Sequence, residues 1–145
     1  MKYSYKLSDA IHILSYIYIY QNGDLSSRAI ANSIESNPSI VRALMSDLRE
    51  ANLIITHKGT AKPELAKQPE EIKLLDVYQA LNMVDHNLLH IDPKTNPRCI
   101  VGGNIQESLN RFYDQIQAAA YQKMEQISLA DVISDILARQ KQKDA

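Results

Sequence analysis

The expected fold is mostly α: a winged helix-turn-helix domain with a small two-stranded wing and a long C-terminal dimerisation helix. Three stretches predict it. Residues 25–53 read as two short amphipathic helices joined by a tight polar corner. Directly after them, β-branched Ile54, Ile55 and Thr56 lead to Lys58-Gly59, and a second short segment at residues 64–66 precedes Pro69. From Ile105 onward an apolar stripe follows helical spacing along a helix that lies outside this compact unit.

The chain opens on residues 8–21, which are apolar on nearly every side. Ile17-Tyr18-Ile19-Tyr20 before Asn22-Gly23 has the look of a strand entering a hairpin. Ser8-Asp9 as a start signal, with Leu7, Ala10, Ile11 and Leu14 at helical spacing, favours a helix instead. Such a helix must be covered on both sides, by its own core and by a further surface such as a second subunit. His12 within it fits a packed imidazole with one satisfied nitrogen.

In the helical pair, either Ser26 or Ser27 suits the first cap, because a serine hydroxyl accepts a bond from a free first-turn N–H. Ala29, Ile30 and Ile34 share one face. Residues 35–38 break the pattern: the usual corner glycine falls at Glu35, and Pro38 suits the first turn of a new helix. In that second helix Ile40, Val41, Leu44, Met45 and Leu48 are the apolar positions, while Ser39, Arg42, Ser46 and Arg49 face elsewhere. Small Ala31 lies where the two helices cross. This is the spacing of a helix-turn-helix, whose second helix enters a DNA major groove. A plain helical hairpin would share the pattern up to this point. The wing that follows brings Lys58 and Lys62 to its tip, where lysines meet backbone phosphate and position a protein without reading sequence.

Beyond the wing, residues 74–81 form another amphipathic helix. Residues 85–104 make the one long irregular stretch, with Asp92-Pro93, Asn96-Pro97 and Gly102-Gly103 as turn formers. Ile105, Leu109, Phe112, Ile116, Ala119 and Ala120 then stripe a long helix, whose economical partner is the same helix of a second subunit. Ser128 with Asp131 signals a last helix striped by Leu129, Val132, Ile133, Ile136 and Leu137, and the polar tail from Arg139 is expected to fray. The organisation is thus residues 1–84 as the winged domain, 85–104 as a sensor loop and 105–145 as dimerisation helices.

Composition sets the outer limits. A hydrophobic share of 45% in 145 residues builds a core without metal or crosslinks. Lys plus Arg number 16 against 17 Asp plus Glu, so phosphate affinity must come from local placement rather than overall charge. The single cysteine, Cys99, excludes an intrachain disulfide and points to a reducing compartment. No run approaches the ~20 apolar residues of a membrane span, and residues 1–4 do not open a signal peptide, so a cytoplasmic chain is expected. An enzyme finds no support: there is no Ser/His/Asp arrangement on recognisable elements, no phosphate-cradling glycine loop and no carboxylate pair in a plausible cleft. No cofactor is expected.

Several motifs resemble the Rrf-two family of winged-helix transcription regulators, which includes iron–sulfur cluster, nitric-oxide and cysteine-metabolism regulators. They are YKLSDAIHIL at residues 5–14, NPSIVR at 37–42, LREANLI at 48–54, Leu65-Ala66, PEEI at 69–72 and LDV at 75–77. The resemblance implies a homodimer gripping a roughly palindromic operator on double-stranded DNA, with the helix near residues 104–124 crossing to the partner. It also implies major-groove reading by Ser39, Arg42 and Ser46. Together with the residue-level reading, the candidate DNA contacts are Ser26, Ser27, Asn37, Ser39, Arg42, Ser46, Lys58 and Lys62. Two departures stand out: a wing tip of Gly59-Thr60-Ala61-Lys62-Pro63 rather than a glycine-rich one, and one loop cysteine where cluster-binding members carry three. The chain is similar to the cluster-free branch, with NPRCIVG at residues 96–102 in the loop.

Three readings of the signal stay open. Cys99 is a thiol sensor, its pKa lowered by neighbouring Arg98, or it is a small buried hydrophobe. His86 and His90 share a metal with Asp85, Asp92 or Cys99, or are two unrelated histidines. A small molecule or partner protein sits between the winged core and the long helix. The function expected is a dimeric sequence-specific DNA-binding regulator, a repressor. The alternative is a protein-interaction winged helix that regulates an enzyme without touching DNA.

Overall fold

In the computed structural model, which describes residues 4–60, 62–82 and 87–145, the first apolar run forms α1 (Lys6–Ile19). It begins two residues before the expected Ser8, where the Lys6 N–H donates to Ser4 Oγ at 3.2 Å. Ala10, Ile13, Leu14 and Ile17 are buried, whereas Tyr18 and Tyr20 are exposed, so one flank of the helix is uncovered within a single chain. His12 is half-buried with Nε2 2.7 Å from Ser33 Oγ, in line with a packed imidazole.

Of the two serines, Ser26 caps α2 (Ser27–Ile34): its Oγ accepts from the Ala29 N–H at 3.2 Å. Glu35 turns the corner in the left-handed region, φ 59° and ψ 47°, the conformation for which glycine is usually chosen. In α3 (Pro38–Glu50), Pro38 occupies the first turn and the Asn37 side chain accepts from the Ile40 N–H at 3.0 Å. Val41, Leu44, Met45 and Leu48 are buried, as expected. Ile40 is a correction: it is 45% exposed. One residue from Val41 is a rotation of about 100° around a helix, which carries Ile40 off the buried stripe.

The wing pairs β1 (Ile54–Ile55) with β2 (Glu64–Leu65) antiparallel, with Ile54 opposite Leu65 and Ile55 opposite Glu64. The Ala66 N–H donates to the Leu53 carbonyl at 3.0 Å and prolongs the pairing. A 3₁₀ turn at Pro69–Glu71 leads to α4 (Leu74–Ala80), where the Asp76 carboxylate accepts from the Lys73 N–H at 2.8 Å. After α4, residues 87–104 hold turns and no regular element.

The two last helices divide differently from expectation. In α5 (Ile105–Gln126) not one residue is buried; Phe112 and Ile116 of its stripe are 52% and 51% exposed. Its contact with the winged unit runs through α4, where the Tyr78 and Tyr121 rings lie 5.6 Å apart. By contrast α6 (Leu129–Lys143) returns to the core, with Leu129 and Ile133 buried where it packs on α1 and the 3₁₀ turn. Its start is fixed twice over. Ser128 and Asp131 exchange capping bonds of 2.9 and 3.1 Å, and the backbone is stitched by Leu74 N–H to Ile127 O (2.9 Å) and Leu129 N–H to Ile72 O (2.7 Å). A boundary at residue 105 therefore does not separate α6 from the winged domain. Nor does the tail fray from Arg139: the helix runs to Lys143, where an Arg139–Asp135 ion pair at 2.6 Å adds local support.

A non-glycine residue held left-handed costs about 1–2 kcal/mol, part of which glycine recovers despite its greater unfolded freedom. Glu35→Gly is accordingly expected to raise the denaturant midpoint by the equivalent of ~0.5–1 kcal/mol without changing the slope. A lowered midpoint would show that the Glu35 side chain stabilises the corner in another way.

Candidate nucleic-acid interface

The exposed side of α3 follows from its buried side. With Val41, Leu44 and Leu48 turned inward, Ser39, Arg42, Ser46 and Arg49 form a second stripe at spacings of three and four. Ser39, Arg42 and Arg49 are exposed, and Ser46 is half-buried. Ser39 donates its hydroxyl proton to Asn37 Oδ1 at 2.6 Å, so this carboxamide oxygen is occupied by the cap and by Ser39 together. These two residues hold the start of α3, and the Asn37 amide hydrogens and Ser39 lone pairs remain available to a ligand.

Two clefts meet on this side. One, of about 410 Å³, lies between the start of α2, α3 and the wing; its polar lining includes Ser26, Ser27, Arg42, Arg49, His57 and Lys62. The other, of about 550 Å³, is lined by Ser26, Ser27, Arg28, Asn37, Pro38, Ser39 and Arg42. Arg42 borders both. Neither lining contains a carboxylate, and the N-terminus of α2, with its unpaired N–H groups and partial positive charge, opens onto both. Asp24, one turn upstream, is turned to local use: the Ser26 N–H donates to it at 2.9 Å and holds its carboxyl below the usual carboxylate range. At the wing tip, Gly59 takes φ 85° and the Thr60 N–H closes on the His57 carbonyl at 3.2 Å, while His57 pairs with Glu64 across the ribbon at 3.6 Å. Cations and free first-turn N–H groups without a carboxylate in the lining suit an anion such as phosphate.

Six of the eight expected contacts therefore line the two clefts: Ser26, Ser27, Asn37, Ser39, Arg42 and Lys62. Ser46 and Lys58 line neither; Lys58 is exposed on the loop of the wing. Arg28 and Arg49 join the surface from outside those eight, Arg49 from the polar face of α3 that the sequence marks. Arg49 was within reach of the sequence, since it follows Arg42 by seven residues, two helical turns. Arg28 and His57 depend on how the wing and α2 meet, which no local pattern records.

In the loop before α5, Cys99 is exposed, which removes the buried-hydrophobe reading. Its thiol is pushed below its ordinary value by the backbone N–H groups of Gly102 and then Val101, not by Arg98. The loop is braced by Thr95 Oγ1–H to Gly102 O (2.5 Å), Gln106 Nε2–H to Thr95 Oγ1 (2.7 Å) and Asn104 Nδ2–H to Ile100 O (2.8 Å). Asp85 and His86 of the expected metal group lie outside the described residues. Among the described residues no three His, Cys, Asp or Glu side chains gather as a metal site.

A recognition helix with a basic, carboxylate-free side, set beside a two-stranded wing, defines a winged helix-turn-helix DNA-binding transcriptional regulator. The model of the Rrf2 (Rrf-two) family, described as iron-dependent transcriptional regulators, matches residues 3–135, and the chain belongs to that family. YwnA of Bacillus subtilis strain 168, named for an HTH-type transcriptional regulator, is 34% identical over 131 residues, 90% of this chain and 96% of its own. A crystal structure described as that of a DNA binding protein shares 34% identity and a TM-score of 0.70 over 88% of this chain and 98% of its own. CymR, described as the global cysteine regulator of B. subtilis, matches in fold at 21% identity with a TM-score of 0.64, over 92% of this chain and 97% of its own. Among the described residues no helix is long and apolar enough to cross a membrane.

With one cysteine in the chain, alkylation reads Cys99 alone. The pH profile of its reaction with iodoacetamide is expected to have a midpoint below that of the same chain in denaturant, because the thiolate is the reacting form. Coincident profiles would mean that the loop N–H groups do not stabilise the thiolate.

Proposed function

We propose that this protein is a cytoplasmic repressor that binds a palindromic operator as a two-fold homodimer. The observation that carries the reading is the pair of carboxylate-free clefts on which the α2 N-terminus, Arg42, Arg49 and Lys62 converge. Backbone phosphates occupy the clefts and supply most of the affinity, while Arg42, beside the start of α3, reads a base edge in the major groove. Ser39 and Asn37 fix the angle at which α3 enters. Ser46 and Lys58 contribute from the edges of the surface, to a base and to wing-side phosphate.

The dimer reading rests on α5. A 22-residue helix with Phe112 and Ile116 exposed and nothing buried gains stability by pairing with its symmetry mate. Two recognition helices then address half-sites about one helical turn apart, ~34–36 Å. Exposed Cys99, six residues before α5, is the favoured point for an oxidant or electrophile to act, since a modified side chain there would press on the bracing of the α5 start.

A gel-shift with the DNA upstream of the gene, at two salt concentrations, tests the reading. Binding that weakens steeply with salt is expected; its absence would favour a module that regulates another protein. Arg42→Ala is expected to weaken operator binding by ~1–3 kcal/mol while sparing random DNA. Equal loss on both would reassign Arg42 to phosphate. Phe112→Asp combined with Ile116→Asp is expected to give monomers in sedimentation, with circular dichroism retained, and a dimer that survives this pair would locate the interface elsewhere.

A further inference from the structure

A further cleft, of about 550 Å³, lies between the wing and the end of α1. Within the ribbon β1 packs on α3 and β2 packs on α1, so each flank of the wing has its own neighbour. The cleft beside α3 takes Thr56 and His57 from the β1 side, and the cleft beside α1 takes Glu64 and Leu65 from the β2 side. Lys62 and Pro63 border both, so the wing alone separates them. Around the cleft beside α1 stand two exposed cations, Lys62 and Lys67, and the exposed donors Tyr18, Asn22 and Gln68. Among the described residues none of these five side chains has a hydrogen-bond or ion-pair partner. Glu64 is the lining's one carboxylate among the described residues; it lies 3.6 Å from His57 Nε2, and the two lysines leave a surplus of positive charge.

The order of strands and grooves on a duplex selects the occupant. A helix in the major groove has a sugar–phosphate strand along each side. Beyond either strand lies the minor groove, about 6 Å wide, and then the opposite strand. With α3 in the major groove, a strand along the cleft between α3 and the wing sets the wing over the minor groove. The next backbone then falls on the wing's far flank. We infer that the cleft between the wing and α1 holds a phosphate of this second strand. Lys67 meets its charge, and Tyr18, Asn22 and Gln68 donate to its oxygens, contacts that position the protein without reading sequence. The same cleft is continuous with the surface described above through Lys62, which a separate partner would have to share with DNA. The inference rests on the DNA reading and extends it by one strand.

Binding of the full chain to operator and to random duplex DNA, measured across a salt series, tests the contact. Each phosphate contact adds about 0.9 to the slope of log affinity against log salt. Lys67→Ala is therefore expected to lower the slope by about 0.9 per subunit, and affinity by about eightfold per subunit at 0.1 M salt, on both DNAs alike. Tyr18→Phe removes a neutral donor and releases no counterion, so binding is expected to weaken about two- to tenfold with the slope kept. Lys141→Ala, exposed on α6 and in none of the three linings, is expected to change neither. Lys67 is exposed, so an unchanged thermal midpoint is expected for its variant. Single uncharged methylphosphonates walked along each operator strand locate the contact. Lys67→Ala is expected to lose sensitivity at one position per half-site, on the strand across the minor groove from the one beside α3. An unchanged slope in Lys67→Ala overturns the inference and leaves the regulator standing, because the wild type still binds. Lost sensitivity on the strand beside α3 overturns it as well, by giving Lys67 to the nearer backbone. Wild-type affinity in Tyr18→Phe removes Tyr18 from the contact. A wild type that binds neither DNA overturns the regulator reading, and this inference with it.

Discussion

Burial of Ile13, Leu14 and Ile17 inside the ring formed by α2, α3, α4, α6 and β2 fixes the position of everything that faces outward. Each such side chain contributes roughly 1.5–3 kcal/mol when fully removed from water, enough that α1 has one stable orientation among its neighbours. Once Val41, Leu44 and Leu48 are committed to this core, the rotation of α3 about its axis is fixed, and Arg42 and Arg49 have only the opposite side to occupy. The polar surface is a by-product of apolar packing.

The overall charge of −1 conceals a local gathering of cations. Arg28, Arg42, Arg49 and Lys62 converge on two adjoining clefts without an acid among the lining residues, whereas α5 and α6 mix Glu107, Asp114, Glu125, Asp131 and Asp135 with Arg111, Lys123, Arg139, Lys141 and Lys143. At physiological ionic strength the screening length is about 8 Å. Cations that share a cleft therefore act together on a bound strand at close range, whatever the charge of the chain as a whole.

Much of this was legible in the chain because it is locally encoded. Ser26, Asn37 and Pro38 mark helix starts through bonds to residues within three positions, and the run at Ile54 and Ile55 ends at a glycine that the turn needs. The corner at Glu35 was placed by spacing alone, although the residue there is not the usual one. What escaped was set by the third dimension. Ile40 has the chemistry of a core residue and the wrong azimuth. Cys99 is exposed because its neighbours wrap around the backbone of Gly102 rather than over the thiol. The polar residues after Arg139 stay helical to Lys143, where the Asp144 N–H closes on the Gln140 carbonyl and the Gln140 side chain donates to Asp144, which no apolar pattern reveals. In the same way the return of Leu129 and Ile133 to the core depends on a backbone stitch between distant segments.

That stitch sets a mechanical limit. The carbonyl of Ile127 and the N–H of Leu129 are bonded on either side of Lys73, so the last turn of α5 is clamped to the root of α4 and cannot swivel independently. The azimuth of the Phe112–Ile116 seam relative to the winged head is then determined by the number of residues between seam and clamp, at about 100° per residue. In the proposed dimer the distance between the two reading heads is accordingly written in helix length. Insertions or deletions in α5 would be tolerated only in steps that restore the phase, close to seven residues, and each such step would redraw the spacing of the DNA sites the pair can straddle.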